Sequence, residues 1–412
     1  MKSTLLLSLI GWIILSACSG NREKGGEQEI PVMDMNATYA QREIPLQEVG
    51  AVRYIQLGTS DTTLVSEDMS LVPYPNSLFL YDRGSGDLIG YDSEGHHLCS
   101  FNRKGQGVNE YATLDKLVYD ETNQLVYIFS LTSKVNLLTY DLKGNCLHAN
   151  AIPDTLDVFE MELFDPQSLL ICDMKHFKVI KEGKINKLAE DAPEANPYPF
   201  VLLHSKDGSL DTRLPLACPD HFRLLVFTQV DGRPFVQMAR TKQLVRSGEG
   251  FLLNDFAIDS VYWLSKGKEI KPVFARTPSI HADVQKGKIC DVLARTSRYM
   301  LIKVICLDPE EGSSRTGLKT ALYLWDSKDR SFTECTFYNA EFKESTDQFR
   351  EIAISGDKLY YRYFPDKLKD ALKDHRLSGK LETLARSLGE DDNLILMEVS
   401  LADKDQGNIE SN

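Results

Sequence analysis

One phrase recurs along this chain and restricts its fold more than any other feature. It is an apolar strand ending in an aromatic or leucine, a polar turn closing on glycine or aspartate, and a returning strand. The clearest copy is YDSEGHHLCSF at 91–101, where Tyr91 and Asp92 end a strand, Ser93, Glu94 and Gly95 turn, and Leu98 leads back to Phe101. Asp and Ser leading into Gly between apolar runs mark a hairpin, because glycine takes positive φ without steric cost. Further copies end at Gly144, Gly208, Gly267 and Asp329, at successive spacings of 49, 64, 59 and 62 residues. Periods of this length that divide into short strands are those of propeller blades carrying loops of unequal size.

Six such units can be cut. The first spans 70–101, with SLFLYD at 77–82. The second holds runs at 116–120, 125–129 and 135–140, and the third at 161–164 and 168–172, followed by a Pro- and Glu-bearing excursion before 200–203. Runs at 250–253 and 260–263 form the fourth, and those at 299–305 and 321–325 the fifth. The sixth has 351–354, 358–361 and 394–399. A ring of blades leaves an unpaired edge where its ends meet, and exposed edges invite aggregation. VRYIQL at 52–57 is strand-patterned, precedes the first unit, and is the expected closing strand for the sixth. Leu377, Leu381, Leu384, Ala385 and Leu388 share one helical face, so 367–388 is expected to be a helix inserted in the last blade, as a space-filling cap. The expected fold class is thus all-β: a six-bladed β-propeller over residues 44–402, closed by an N-terminal strand.

The ends carry an address. Lys2 precedes an apolar run, and the 14 residues from 4 to 17 are fewer than the roughly 20 a membrane helix needs. With Ser16 and Ala17 ahead of Cys18, residues 1–17 read as an export signal. Leu15-Ser16-Ala17-Cys18 resembles the bacterial lipobox, whose cysteine is acylated and becomes the mature N-terminus; the alternative is an ordinary signal with a chance cysteine. Each buried methylene adds about 0.8 kcal/mol, so several acyl chains would hold the protein to a bilayer. Residues 18–43 are expected to be the lipidated cysteine and a polar tether, and 403–412 a polar tail. The net charge of −13 becomes about −14 once Lys2 is removed, which argues against nucleic acid as a partner. Surface-exported lipoproteins of the kind this N-terminus resembles tend to carry an acidic run after the cysteine. Ser19-Gly20-Asn21-Arg22 lacks one, so the resemblance implies the periplasmic face of the outer membrane, anchored through lipid. The seven other cysteines are widely spaced without a CxxC, and are expected to be buried free thiols.

With the repeats laid out, the chain resembles the six-bladed β-propeller lipoproteins of Bacteroidetes, which are related in architecture to NHL-repeat propellers. The resemblance rests on residues 44–57, on Tyr91-Asp92 to Gly95, on Arg103-Lys104-Gly105-Gln106-Gly107 with Glu110-Tyr111, and on DNLILM at 392–397. Where the family pattern reads Gly-Pro-Gly-Glu-Tyr, this chain has Gly107-Val108-Asn109-Glu110-Tyr111, so its loop lacks the stiffness of proline. The resemblance implies an anchored envelope protein, with no catalytic residues to carry over.

Little in the sequence points to chemistry. The stretch 312–320 imitates a phosphate-binding loop, but Leu318 separates Gly317 from Lys319 and a strand follows in place of a helix, so a hairpin loop is expected. His96 and His97 are adjacent, and neighbours in a strand point to opposite faces, so they do not share a metal. No metal site, cofactor or catalytic residue is assigned. Arg103, Lys104 and Glu110, on the loop joining two blades, are the candidate ligand residues: a basic pair beside backbone amides can hold a carboxylate or a sulfated sugar. Their alternative role is to hold that loop shut. Two functions follow. One is a binding or scaffold lipoprotein for a peptide, glycan or protein. The other is a propeller lyase or hydrolase with a metal-dependent site in the central channel.

Overall fold

The strand Ser168–Asp173 is buried along its whole length. A strand with no exposed face needs another sheet packed on each side of its own. The computed structural model shows how this is met. It describes residues 30–401, save 61–62, 134, 182–183, 231–232, 239–240, 283, 285–286, 308–317, 343–351 and 390. Residues 1–29 and 402–412, hence the export signal, Cys18 and the tail, lie outside the described residues, as does most of the 312–320 loop.

Among the described residues the strands form seven sheets. Sheet I is a meander of Ser70–Pro73, Ser77–Tyr81, Asp87–Asp92 and His97–Asn102. Sheet II follows with Lys116–Asp120, Leu125–Phe129, Leu137–Asp141 and Cys146–Asn150. Sheet III has Val158–Asp165, Ser168–Asp173, Phe200–His204 and Leu210–Arg213. Sheet IV takes Leu244–Ser247, Gly250–Leu253, Ser260–Ser265 and Ile270–Thr277. Sheet V takes Lys288–Arg295, Tyr299–Cys306, Thr320–Asp326 and Ser331–Tyr338. Sheet VI is Ala353–Ser355, Lys358–Tyr363, Ile395–Leu401 and, from the other end of the chain, Gly50–Gln56. The architecture is all-β and propeller-like.

The core lies between sheets rather than within any one of them. Phe79, Tyr119 and Tyr140 fill the space between I and II. Val118, Phe129, Ile171 and Val201 lie between II and III, and Leu170, Phe200, Phe251 and Leu264 between III and IV. Val245, Phe274, Val292 and Ile302 join IV to V, and Leu301, Phe337, Tyr361 and Met397 join V to VI. Ile55, Leu78, Tyr91 and Leu396 cluster between VI and I.

Three expectations are corrected. The tether expected over 18–43 is built into sheets from Val32: Val32–Asp34 lies parallel on Ile270–Thr277, and Ala40–Pro45 parallel on Ser331–Tyr338. Those partners would otherwise be open sheet edges, and Met33 and Met35 are buried against sheets IV and V. The helix expected over 367–388 is two, Pro365–Lys373 and Gly379–Ser387. His375 between them has φ of 56°, and Leu377 leaves the helical path to bridge Phe342. The excursion in the third unit is half of a seventh sheet. There Lys178–Lys181 lies parallel to Phe222–Val230, with Lys184–Lys187 and Arg233–Met238 outside them. Its short lysine-flanked runs carry too little hydrophobic pattern to announce a strand whose partner is some 40 residues on.

No disulfide joins the seven cysteines among the described residues, and all but Cys146 are buried. No helix among the described residues is long and apolar enough to cross a membrane.

Candidate functional site

In each of sheets I to VI the first strand ends in a turn, and these six turns surround one cavity of about 1180 Å³. The turns are held by local chemistry. Asp120 Oδ1 accepts the amides of Thr122 and Asn123 at 3.0 and 3.1 Å, while Asp165 Oδ1 accepts that of Gln167 at 2.8 Å. Thr296 Oγ1 accepts the Tyr299 amide at 2.8 Å. Gly248 and Gly356 have φ of 54° and 63° with open space where a Cβ would stand, so backbone conformation alone selects glycine there.

Aromatic groups form much of the wall. Phe164 and Phe251 stack with centroids 6.2 Å apart. Tyr74 of sheet I reaches into sheet II, where its Oη donates to Leu117 O at 3.2 Å and accepts the Tyr119 amide at 2.9 Å. Arg246 lies over both walls, its guanidinium 5.2 Å from the Tyr74 ring centroid and 5.8 Å from that of Phe251.

The charged lining is mostly committed. Arg246 Nε donates to Glu162 Oε2 at 2.9 Å, and Nη2 lies 2.8 Å from the same oxygen without a hydrogen bond of its own. Glu121 accepts from the Asn76 amide and the Ser77 hydroxyl of sheet I. Lys266 pairs with Glu249 at 2.7 Å, and Lys358 Nζ lies 3.5 Å from Glu398. Asp357 is exposed at the rim. Arg295 differs: its side chain has no hydrogen bond or ion pair among the described residues, and burial alone pushes its guanidinium below the usual arginine range. No histidine or cysteine among the described residues lines the cavity. Among the described residues no three His, Cys, Asp or Glu side chains gather as metal ligands would.

A second polar group lies on the first strands of sheets II and III, away from the cavity lining. Burial pushes the Glu160 carboxyl up to about 7, although it accepts the amides of Gln243 and Leu244 at 2.8–3.0 Å. Burial pushes the Lys116 ammonium down, and it lies 5.6 Å over the Phe159 ring.

The residues singled out from sequence are elsewhere. Arg103 Nε donates to Gly144 O at 2.7 Å, tying the edge strand of sheet I to a turn of sheet II. Lys104 Nζ donates to Gly84 O, and Glu110 Oε2 accepts the Gly107 amide at 2.9 Å. The Gly105 backbone passes so close to the Glu110 carboxylate that a Cβ there would collide with it. The three therefore close their own loop in the cleft between two sheets, and none lines the cavity. His96 Nδ1 lies 3.0 Å from Asp92 Oδ2 on an exposed turn. Arg246 and Arg295 are not among the residues singled out from sequence, yet the repeats carry a signal for them. Arg-Ser-Gly at 246–248 and Arg-Thr-Ser at 295–297 put arginine at the same place, just before the first turn of successive repeats.

Residues 30–400 match the family described as a domain of unknown function, DUF4934. Among solved structures, a Bacteroides fragilis protein described as exported is similar at a TM-score of 0.60 and 15% identity, over 91% of this chain and all of its own. A DUF4221 family member from Bacteroides vulgatus gives 0.46 and 10%, covering 85% and 96% of the two chains. Virginiamycin B lyase from Staphylococcus aureus gives 0.36 and 8%, covering 85% and 99%. No curated protein matches the chain.

Proposed function

The chain belongs to the DUF4934 family, and from that premise we propose that it is an envelope lipoprotein whose propeller binds a ligand in the cavity ringed by the six first turns. The cavity carries this reading: one turn from each of sheets I to VI faces a common space whose walls mix aromatic, hydroxyl and charged groups. Sites of this kind, concave with a few convergent polar groups, are where ligands bind.

Sheets I to VI are taken as six blades, with the seventh sheet an accessory. The apolar clusters support this order, since each lies between one sheet and the next and the last lies between VI and I. The strand Gly50–Gln56 pairs antiparallel with Ile395–Leu401, with Val52 opposite Val399 and Ile55 opposite Leu396. On this reading it is the seam that closes the ring. Cys18 is the lipid anchor, a reading that rests on Leu15-Ser16-Ala17-Cys18. The periplasmic face of the outer membrane is the site of action, which rests on Ser19-Gly20-Asn21-Arg22 lacking an acidic run.

Two experiments test this. Cys18→Ala should abolish acyl labelling and membrane fractionation; an unchanged distribution would refute the anchor. A thermal-shift screen of the purified protein with glycans, peptides and divalent ions should yield a ligand that raises the melting temperature. Thr122→Trp, at an exposed turn of the rim, should abolish that shift while leaving the unliganded melt unchanged. A shift that survives Thr122→Trp would place binding elsewhere, and a stoichiometric metal on elemental analysis would favour a metal-dependent lyase or hydrolase.

A further inference from the structure

We propose that the cavity takes an acidic oligosaccharide, with Arg295 receiving a uronate carboxylate and Arg246 Nη2 offering a second N–H. The proposal rests on the cavity being the binding site.

The first observation is the state of the two arginines. Arg295 lines the cavity with a guanidinium that has no partner among the described residues. Arg246 is part-buried, and its Nη2, although 2.8 Å from Glu162 Oε2, makes no aligned hydrogen bond there, the bond to that oxygen coming from Nε. Guanidinium N–H groups not spent on protein acceptors at a cavity wall can be given to a ligand oxygen. The two are neighbours through their strands: Ser247, beside Arg246, turns its Oγ to Arg295 O at 3.4 Å. Arginine presents a planar fork of donors that matches a carboxylate.

The second observation is what surrounds them. Asp165 and Asp357 are also in the lining, with the hydroxyls of Thr122 and Ser297. A densely charged polyanion would be repelled by these carboxylates. A ligand carrying one carboxylate per unit among several hydroxyls suits both halves, because its hydroxyls donate to Asp165 and Asp357 while its carboxylate meets arginine. An extended peptide is disfavoured on different grounds. Peptides of that kind add to an open strand edge, whereas this rim is made of turns, several of whose amides are already capped by Asp120, Asp165 and Thr296.

The test uses the full mature protein and calorimetric titration with short oligomers of galacturonate, glucuronate-containing hyaluronan and mannuronate. Neutral galactose oligomers and a glutamate tripeptide are the comparison arms. At least one uronate oligomer should bind, more weakly at high salt, and the neutral and peptide arms should not. Arg295→Gln should weaken that binding about ten-fold or more with an unchanged melt, and Arg295→Lys should restore part of it. Thr122→Trp should abolish it. Equal binding by Arg295→Gln, binding of the neutral sugar or peptide in place of the uronates, or silence from all uronates would overturn the proposal. If another ligand binds and Thr122→Trp blocks it, the cavity reading survives that failure. Uronate binding that Arg295→Gln weakens but Thr122→Trp spares would instead refute the cavity.

Discussion

Arg53 and Glu398 stand 345 residues apart in sequence and meet fork to fork, Nε to Oε1 at 2.7 Å and Nη2 to Oε2 at 3.0 Å. They are direct neighbours across the pairing of Gly50–Gln56 with Ile395–Leu401. Arg53 also reaches Glu94 at 2.8 Å, on the turn that opens the repeat series, so one side chain joins both chain ends and sheet I. Burial pushes the Glu398 carboxyl up, but Arg53, Tyr360 and Lys358 outweigh it and hold it below the usual glutamate range. Its stabilisation is therefore present above the unfolded-state value of about 4.3 and is lost as pH falls through the folded value. Glu398→Gln should cost about 1–3 kcal/mol in denaturant melts at pH 7, the range reduced because Arg53 is partly exposed. The difference from the unmodified protein should shrink in melts below pH 4.

Gly95 should tolerate no side chain. Its φ is 87°, and a Cβ would collide with the carbonyl of Gln56, while its own carbonyl accepts the Gly58 amide at 2.9 Å. Gly95→Ala is expected to cost about 2–4 kcal/mol, because backbone cannot move aside as a side chain can. Gly356→Ala, with positive φ but open space, should cost only about 1–2 kcal/mol. Equal costs in urea melts would show that the contact with Gln56 is unimportant.

Glu160 predicts a pH dependence of the opposite sign. Its folded-state value near 7 lies above the unfolded value of about 4.3, so the native state holds the extra proton between them. Stability from this group is full below the lower value and declines as pH rises to 7. Asp255, pushed by burial up to about 7, adds to the same trend. Melting temperatures should fall between pH 5 and 8, and Glu160→Gln should flatten that fall. A slope unchanged by the substitution would contradict the assignment.

Removing the first strand of sheet VI in the chain should cost cooperativity. A chain beginning at Ser60 loses the pairing with Ile395–Leu401 and the burial of Ile55 and Leu57. It should melt broadly by circular dichroism, whereas a chain beginning at Leu46 keeps the strand and should melt sharply at a lower temperature. If the Ser60 chain melts like the mature protein, the seam contributes nothing and the closed ring is wrong.

The site was far less legible than the fold. Arg103, Lys104 and Glu110 drew attention because charge and glycine cluster there in sequence, yet their charges are spent on Gly144, Gly84 and Gly107. Arg246 and Arg295 are ordinary in their own neighbourhoods. What sets them apart is the cavity they share and the partner that Arg295 lacks, and both depend on which turns meet in space.

The sequence by itself determined the recurring strand phrases and their turns, because short apolar runs and left-handed glycines are local properties of a few residues. Gly95, Gly144 and Gly208 have positive φ, and all three lie where the hairpin chemistry placed them. Only the tertiary structure decided how segments distant in the chain pair. Val32–Asp34 and Ala40–Pro45 are short and polar enough to pass for a tether, and they become strands because sheets IV and V offer open edges. The seventh sheet arises likewise, since the short run Lys178–Lys181 becomes a strand by pairing with Phe222–Val230. Hydrogen bonding to a partner sheet stabilises such segments, and that partner is specified by packing between sheets rather than by the residues of the segment.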